Sequence, residues 1–382
     1  MGPRLVVTVA AVASAVVVSG CASSSQTGQP TATRSTSTST STSTSTSTGG
    51  QAAASRTPTS GSPIHGSAAP TPARTPAPVL RIARSAWVAV SVATLWRAPS
   101  SPRAVDAPAL HSPADVRGWL GSMTLADRRG LQGRADTQAL LGDRVLVTAV
   151  RGTWARVVVP DQPTPLDARG YPGWMPTRQL SVAAPASGAG IATVVSRTAW
   201  LRANTAAAAP PAVEVSYGTR LPVLDRRGPW LRVGLPGGGA LRIDPSAVVQ
   251  ADAAAPALPA TGASVVQSAQ WFTGLPYLWA GRSGFGFDCS GLTSLVYRVH
   301  GLVVPRDADA QAERGRRVAS GAMSPGDLLF YATPTGHVHH VSMYAGAGLM
   351  VQSPATGQPV QTVAVATQPY AGQFAFAHRY LS

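Results

Sequence analysis

The sequence predicts a multidomain chain with an unstructured tether, two small all-β units and an α+β domain at the C-terminal end. Three observations carry this reading. Residues 22–78 are low-complexity, with a strict Ser-Thr alternation from Ser35 to Thr48. One short Gly-, Trp- and Arg-bearing unit occurs twice between Val79 and Gln250. From about Pro256 the pattern changes to helical stretches and Gly-bounded strands around a single cysteine.

The 382 residues include 38 Gly, 33 Pro and 2 Cys and are 44% hydrophobic, which suffices for two or three cores. Two cysteines exclude a disulfide scaffold and a Cys-rich zinc module. The net charge of +15 rests on Arg alone, because the chain has no Lys. Those Arg residues are scattered through every segment instead of gathering with aromatics or on one helix, so no nucleic-acid partner is expected. The charge suits contact with anionic lipid or wall polymer.

Residues 1–21 have a targeting layout: Arg4, an apolar run from Leu5 to Val18, and the ending Val18-Ser19-Gly20-Cys21. The run is short for a membrane span and lacks stop-transfer charges. Its V-S-G-C ending resembles the lipobox of bacterial lipoproteins, which implies a lipidated Cys21 and a membrane anchor. The expected location is the outer face of the bacterial cell membrane, or the wall. Residues 22–78 have almost no large apolar side chains to offset the entropy of ordering them. As a coil they span roughly 40 Å, a spacer that lifts the remainder of the chain off a surface.

The two β units are expected at 79–185 and 190–250. Gly142-x-Arg144 is followed by Arg151-Gly152-Thr153-Trp154-x-Arg156-Val157, and Gly218-x-Arg220 by Arg227-Gly228-Pro229-Trp230-x-Arg232-Val233, with the same twelve-residue step from Gly to Trp. Leu95-Trp96-Arg97-Ala98 is echoed by Leu201-Arg202-Ala203. Two copies of one unit, each with a buried Trp beside a hairpin, account for this. These runs, with the closing Gly173-Trp174, resemble bacterial SH3-like domains. The second copy has Ala240-Leu241-Arg242 where Gly-Trp is expected, and the first carries an insert from Ser101 to Gly133, read as a loop facing the C-terminal domain.

That last domain, 256–382, holds the chemistry. Leu292, Leu295, Val296 and Val299 recur at helical spacing after Cys289, and Gly301 is a stop. Asp288 then occupies the N-cap and Cys289 the first turn, where unpaired N–H groups and the helix dipole favour thiolate over thiol. A base is at hand in the strand His337–Ala345, whose alternation puts His340, Ser342 and Tyr344 on one face and Val341, Met343 and Ala345 on the other. The following strand offers the polar Gln352. A cysteine on a helix start, a histidine on a strand and a polar orienter on the next is the arrangement papain-like chemistry requires. His337 and His339 alternate on that same strand, but with no further Cys and few acidic residues nearby no metal site is expected. Asp327 reads as a turn residue, and Arg306, Arg314, Arg316 and Arg317 as a solvated basic face.

F-D-C-S-G-L preceded by P-Y-L-W, then V-P-R-D-A-D-A-Q, M-S-P-G-D-L-L-F-Y and H-V-S-M-Y-A-G-A-G, resemble the NlpC family of cell-wall cysteine peptidases over nearly all of the last 125 or so residues. With SH3-like domains ahead, the chain is similar to that family's γ-D-glutamyl-L-diamino-acid endopeptidases. The resemblance implies Cys289 as nucleophile, His340 as base and Gln352 as third polar residue, a place where many members have His. It also implies Tyr277 near the oxyanion, and Asp288 and Ser290 at the substrate's free amine. The expected substrate is peptidoglycan or released murein peptide, cut beside a diamino acid such as diaminopimelate by a monomer without metal or organic cofactor. At the level of residues two alternatives stay open: a non-catalytic wall-binding lipoprotein on the same fold, and an amidase or acyltransferase on the same scaffold.

Overall fold

The computed structural model describes residues 80–204 and 210–382. The signal-like segment 1–21 with Cys21, and the tether 22–78, lie outside the described residues. Among the described residues no helix is long and apolar enough to cross a membrane.

The first β unit is a seven-stranded antiparallel sheet built from β1 (Ser85–Val88), β2 (Val92–Trp96), β3 (Ala135–Leu140), β4 (Arg144–Arg151), β5 (Trp154–Val159), β6 (Tyr171–Pro176) and β7 (Leu180–Ser181), in the order β3-β2-β6-β5-β4-β1-β7. Alternate residues point inward, and Val88, Leu95, Val145, Val157 and Met175 form its core.

The second unit comprises β8 (Ile191–Val194), β9 (Thr198–Leu201), β10 (Val213–Ser216), β11 (Arg220–Arg227), β12 (Trp230–Gly234), β13 (Ala240–Ile243) and β14 (Val248–Ala251). Five of these strands run in the order β13-β12-β11-β8-β14, with β9 and β10 as a separate pair. The sequence repeat is a structural repeat down to the register. Arg151 faces Trp154 across one hairpin and Arg227 faces Trp230 across the other, and each first strand carries an irregularity at the same point. Both hairpins turn on a glycine in the left-handed region, Gly152 at φ 55° and Gly228 at φ 59°, which a side chain would disfavour.

Two expectations for these units need correction. Trp154 and Trp230 are half-buried and neither belongs to its own sheet's core. Trp154 instead packs on a cluster centred on the insert. The insert is helical, with α1 (Ala107–Leu110), α2 (Val116–Ser122) and α3 (Leu125–Arg129). Its Trp119 is 1% exposed, tilts against Trp96 at 6.3 Å and donates its indole N–H to buried Asp106 at 2.9 Å. The cluster takes in Leu278 and Ala280 of the C-terminal domain, so the insert faces that domain as expected, as a wedge of helices.

The C-terminal domain comprises α4 (Gly262–Gln270), the short pair β15 (Arg282–Ser283) and β16 (Gly286–Phe287), α5 (Cys289–Val299), α6 (Ala308–Ala312), and the strands β17 (Arg316–Val318), β18 (Leu328–Ala332), β19 (Val338–Gly346), β20 (Leu349–Gln352), β21 (Gln361–Ala364) and β22 (Phe374–Arg379). The six strands form an antiparallel sheet in the order β17-β22-β18-β19-β20-β21. Leu292, Leu295, Val296 and Val299, the helical stripe of α5, bury against Val341, Met343 and Val351 of the sheet. The opposite face of β19 is covered as well: Ser342 there bonds the hydroxyl of Tyr331 at 2.9 Å, behind His340. Helix α5 ends at Val299, and Gly301 takes φ 80° beyond it. Asp327 is buried in its turn, accepting from Ser324 N at 2.7 Å and pairing with Arg379.

Candidate active site

Cys289 opens α5. Asp288 is the N-cap, its carboxylate accepting from Gly291 N at 2.7 Å. The Cys289 side chain keeps partial access to a cleft, yet protein encloses most of the space around its sulfur. Burial pushes the thiol up to about 12, with the neighbouring Asp288 charge adding to it, while the Val341 and Ser290 backbone groups and Arg306 act the other way. This direction runs against the expectation of an ionised thiol. A helix N-terminus offers an anion roughly 0.3–2 kcal/mol, less than the several kcal/mol it costs to bury a charge.

His340 lies on β19 and is 3% exposed. Its Nε2 is 2.8 Å from Gln352 Oε1 on β20. Since an amide oxygen only accepts, Nε2 holds the ring's proton and Nδ1 is left with a lone pair. Tyr370 and Tyr331 pack on the ring at 4.9 and 5.4 Å between centroids. Burial lowers the imidazole to about 4, the Gln352 bond opposing and the His339 charge assisting. Burial thus favours the neutral form of both the thiol and the imidazole, which line the same cleft.

Behind the cysteine sits an ion pair that the sequence reading missed. Arg306, expected on a solvated face, is 1% exposed. Its guanidinium grips Asp288 at 3.1 and 2.7 Å and Ser290 Oγ at 3.0 Å. Only Arg314, Arg316 and Arg317 of that stretch are exposed. Nothing local in the V-P-R-D string marks that arginine for burial, which depends on partners elsewhere in the chain. The polar atoms of Asp288 and Ser290 are thereby committed to Arg306 and the helix cap.

The cleft holds about 1020 Å³ and has two walls. One is the C-terminal domain, with Tyr277, Trp279, Asp288, Cys289, His340 and Tyr370. The other comes from the first β unit and includes Asp136, Tyr171 and Trp174. Trp174 of the closing Gly-Trp is therefore a cleft wall, with the Arg151 guanidinium 5.2 Å from its ring. Tyr277 is 6% exposed, and burial and then the Cys289 charge hold its phenol up. Asp307 also faces the cleft, where burial raises it to about 6 against the pull of Arg306 and a bond from Tyr171. His337 and His339 stand exposed on the cleft rim. Among the described residues no three His, Cys, Asp or Glu side chains come together as a metal site.

The chain's similarity to known proteins follows the same division. Residues 274–379 match the model of the NlpC/P60 family, and 194–249 that of the YKFC SH3b2 domain. A γ-D-glutamyl-L-lysine dipeptidyl-peptidase of Bacillus cereus (strain ATCC 10987 / NRS 248) is 40% identical over 305 residues, 78% of this chain and 91% of the relative. One of the same name from Bacillus subtilis (strain 168) is 37% identical over 298 residues, 76% of this chain and 97% of the relative. The crystal structure of an NlpC/P60 family protein from Bacillus cereus ATCC 10987 superposes with a TM-score of 0.73 at 38% identity, covering 78% of this chain and all of the other. With a cysteine and a histidine lining one cleft and this likeness along both kinds of domain, the chain belongs to the NlpC/P60 family of cysteine peptidases.

Proposed function

We propose that the chain hydrolyses the bond between γ-D-glutamate and a diamino acid in short peptidoglycan stem peptides that carry a free amine. Cys289 is the nucleophile, His340 its base and Gln352 the group that orients the ring. The observation that carries this reading is the His340 ring, tied through Nε2 to Gln352 and lining one cleft with a cysteine on a helix start. The two Bacillus relatives are named as dipeptidyl-peptidases of the γ-D-glutamyl-L-lysine bond, and lysine is a diamino acid.

In this reading each group takes one step. As the sulfur of Cys289 attacks the γ-carbonyl carbon, its proton passes to Nδ1 of His340, and the new positive charge is shared through Nε2–H with Gln352 Oε1. The first-turn N–H of Cys289 has no acceptor within the helix and, with the Tyr277 phenol, holds the oxyanion. The imidazolium gives its proton to the amine of the departing diamino acid. Water, deprotonated by the same ring, then hydrolyses the thioester and restores the thiol.

The free amine finds its partner in Asp307. This carboxylate faces the cleft beside Tyr171, whereas Asp288 and Ser290 are occupied by Arg306. An ammonium there relieves the burial that raises Asp307, a charge-assisted bond that an acylated terminus loses. The wall formed by the first β unit favours a released peptide over cross-linked wall. Cys21, by its V-S-G-C context, anchors the chain by lipid outside the cell membrane.

The test is mass spectrometry of stem peptides with one residue ahead of γ-D-glutamate and either lysine or diaminopimelate after it, amine free or acetylated. The expected result is release of the N-terminal dipeptide from the free-amine forms only, and no release with Cys289→Ala. Cleavage by Cys289→Ala overturns the nucleophile, and equal cleavage of acetylated peptide overturns the amine site. Labelling with a palmitate analogue should mark the full chain in cells and leave Cys21→Ala unmarked.

A further inference from the structure

Arg306 is held from two sides. Its Nη atoms meet Asp288 and Ser290 of its own domain, while its Nε donates to Thr137 Oγ1 at 2.8 Å, on β3 of the first β unit. Thr137 is wholly buried. Its hydroxyl proton is committed elsewhere, to Gln162 Oε1 at 2.5 Å, and Gln162 in turn donates Nε2 to Gln138 O at 2.8 Å. That chain of donors leaves Thr137 Oγ1 with only lone pairs to present to the guanidinium. The backbone agrees with the side chain, since Arg306 N donates to Pro163 O at 2.9 Å. On the other flank Gln138 Oε1 accepts from Arg282 N at 3.0 Å and Ser283 Oγ at 2.9 Å, just ahead of the strand that leads into Asp288.

We propose that Thr137, set by Gln162, is a positioning residue for the peptidase reaction: through Arg306 it fixes the Asp288 carboxylate behind the nucleophile, so that the first β unit completes the charge balance of the site. The inference rests on Cys289 as the nucleophile.

The electrostatics run in the direction this requires. A buried guanidinium left with an unpaired N–H carries a desolvation cost, and the ring of contacts relaxes until that donor finds a partner. Relaxation away from Asp288 leaves its carboxylate unbalanced next to the sulfur. The groups acting on the Cys289 thiol are Asp288 and the phenols of Tyr277 and Tyr370, with Arg306 opposing and His340 opposite on β19. Among these Arg306 is the fixed cation, and Thr137 is the acceptor its guanidinium meets outside the catalytic domain.

The experiment compares Thr137→Val, which keeps the shape and removes the acceptor, with Thr137→Ser, which restores it, both in the full chain. For Thr137→Val, kcat on a free-amine stem peptide should fall about tenfold with KM within about twofold, the signature of a lost transition-state contribution. The rate of Cys289 carboxamidomethylation at pH 8.5 should fall with it, and Thr137→Ser should recover most of both. Gln162→Met, which frees the Thr137 hydroxyl to rotate, should give a smaller loss of the same kind and serves if the valine variant fails to fold. A lowered Tm with kcat and alkylation rate unchanged overturns the proposal. So does a serine variant as impaired as valine. If Cys289→Ser retains full activity, the nucleophile assignment has failed instead, and the two failures are told apart.

Discussion

Nε2 of His340 and Oε1 of Gln352 stand 2.8 Å apart, and in the proposed mechanism that contact leaves Nδ1 for the thiol. The orienting residue is neutral, so it sets direction without adding charge. Gln352→Leu should lower kcat by about 10- to 100-fold with little change in KM, the range expected when a general base loses its alignment. Gln352→Glu places a carboxylate against the ring and should move the acid limb of kcat upward from the region near 4. A kcat profile followed through release of the free diamino acid checks both, and an unmoved limb in the glutamate variant counts against His340 as the base.

The pH dependence of the unmodified enzyme follows from two groups. Asp307 is raised to about 6 and must be ionised to hold an ammonium, so kcat/KM should bend downward as pH falls below about 6. His340, lowered to about 4, stays neutral and able to accept a proton well below that, so kcat should hold level to a lower pH than kcat/KM does. Asp307→Asn should remove the upper bend and raise KM for free-amine peptide about 10- to 100-fold, as for a lost bond between charged partners. Steady-state rates at saturating and limiting substrate separate the two limbs.

The same burial has a stability consequence. An imidazole kept neutral in the fold, below its ordinary 6.5, contributes stability above that pH. The contribution is lost as pH falls from 6.5 through 4, because the unfolded chain takes up the proton first. Urea midpoints should therefore drop between pH 7 and 4.5, and drop less in His340→Gln.

Alkylation offers a direct reading of the resting thiol. With Cys289 pushed up to about 12, iodoacetamide should react slowly at pH 7 and faster with each step of rising pH. A rate already at its plateau at neutral pH would show an ionised thiol and overturn the neutral pair.

Trp119 tests the wedge of helices. Trp119→Ala removes a ring that fills the space beside Trp96 and leaves Asp106 without one donor. It should cost about 3–5 kcal/mol in chemical denaturation, as other buried aromatic truncations do.

Local signals carried the reading of this chain far. The stripe Leu292, Leu295, Val296 and Val299 announced α5, and Asp288 its cap, because spacing and capping are written in neighbouring residues. The repeated hairpins were legible for the same reason, each needing a glycine at its turn. Arg306 was misplaced because its burial depends on Asp288, eighteen positions earlier, and on Thr137 in another domain. For the thiol, a helix start is visible in sequence, whereas the packed protein whose burial opposes its ionisation is not. Tyr171 and Asp136 had no local mark at all, since only the docking of two domains brings them to the cleft that Asp307 also faces.

The stretch near Pro256 is the obvious place to cut when building a chimaera, and the wedge of helices argues against it. A fragment starting there would put Leu278 and Ala280 in water and strip Arg298 of Asp143, its partner at 2.7 Å. Grafting this hydrolase onto another targeting module therefore means transplanting everything from β1 onward as one piece, because the seam between its parts runs through the oil and the charges, not through the linker.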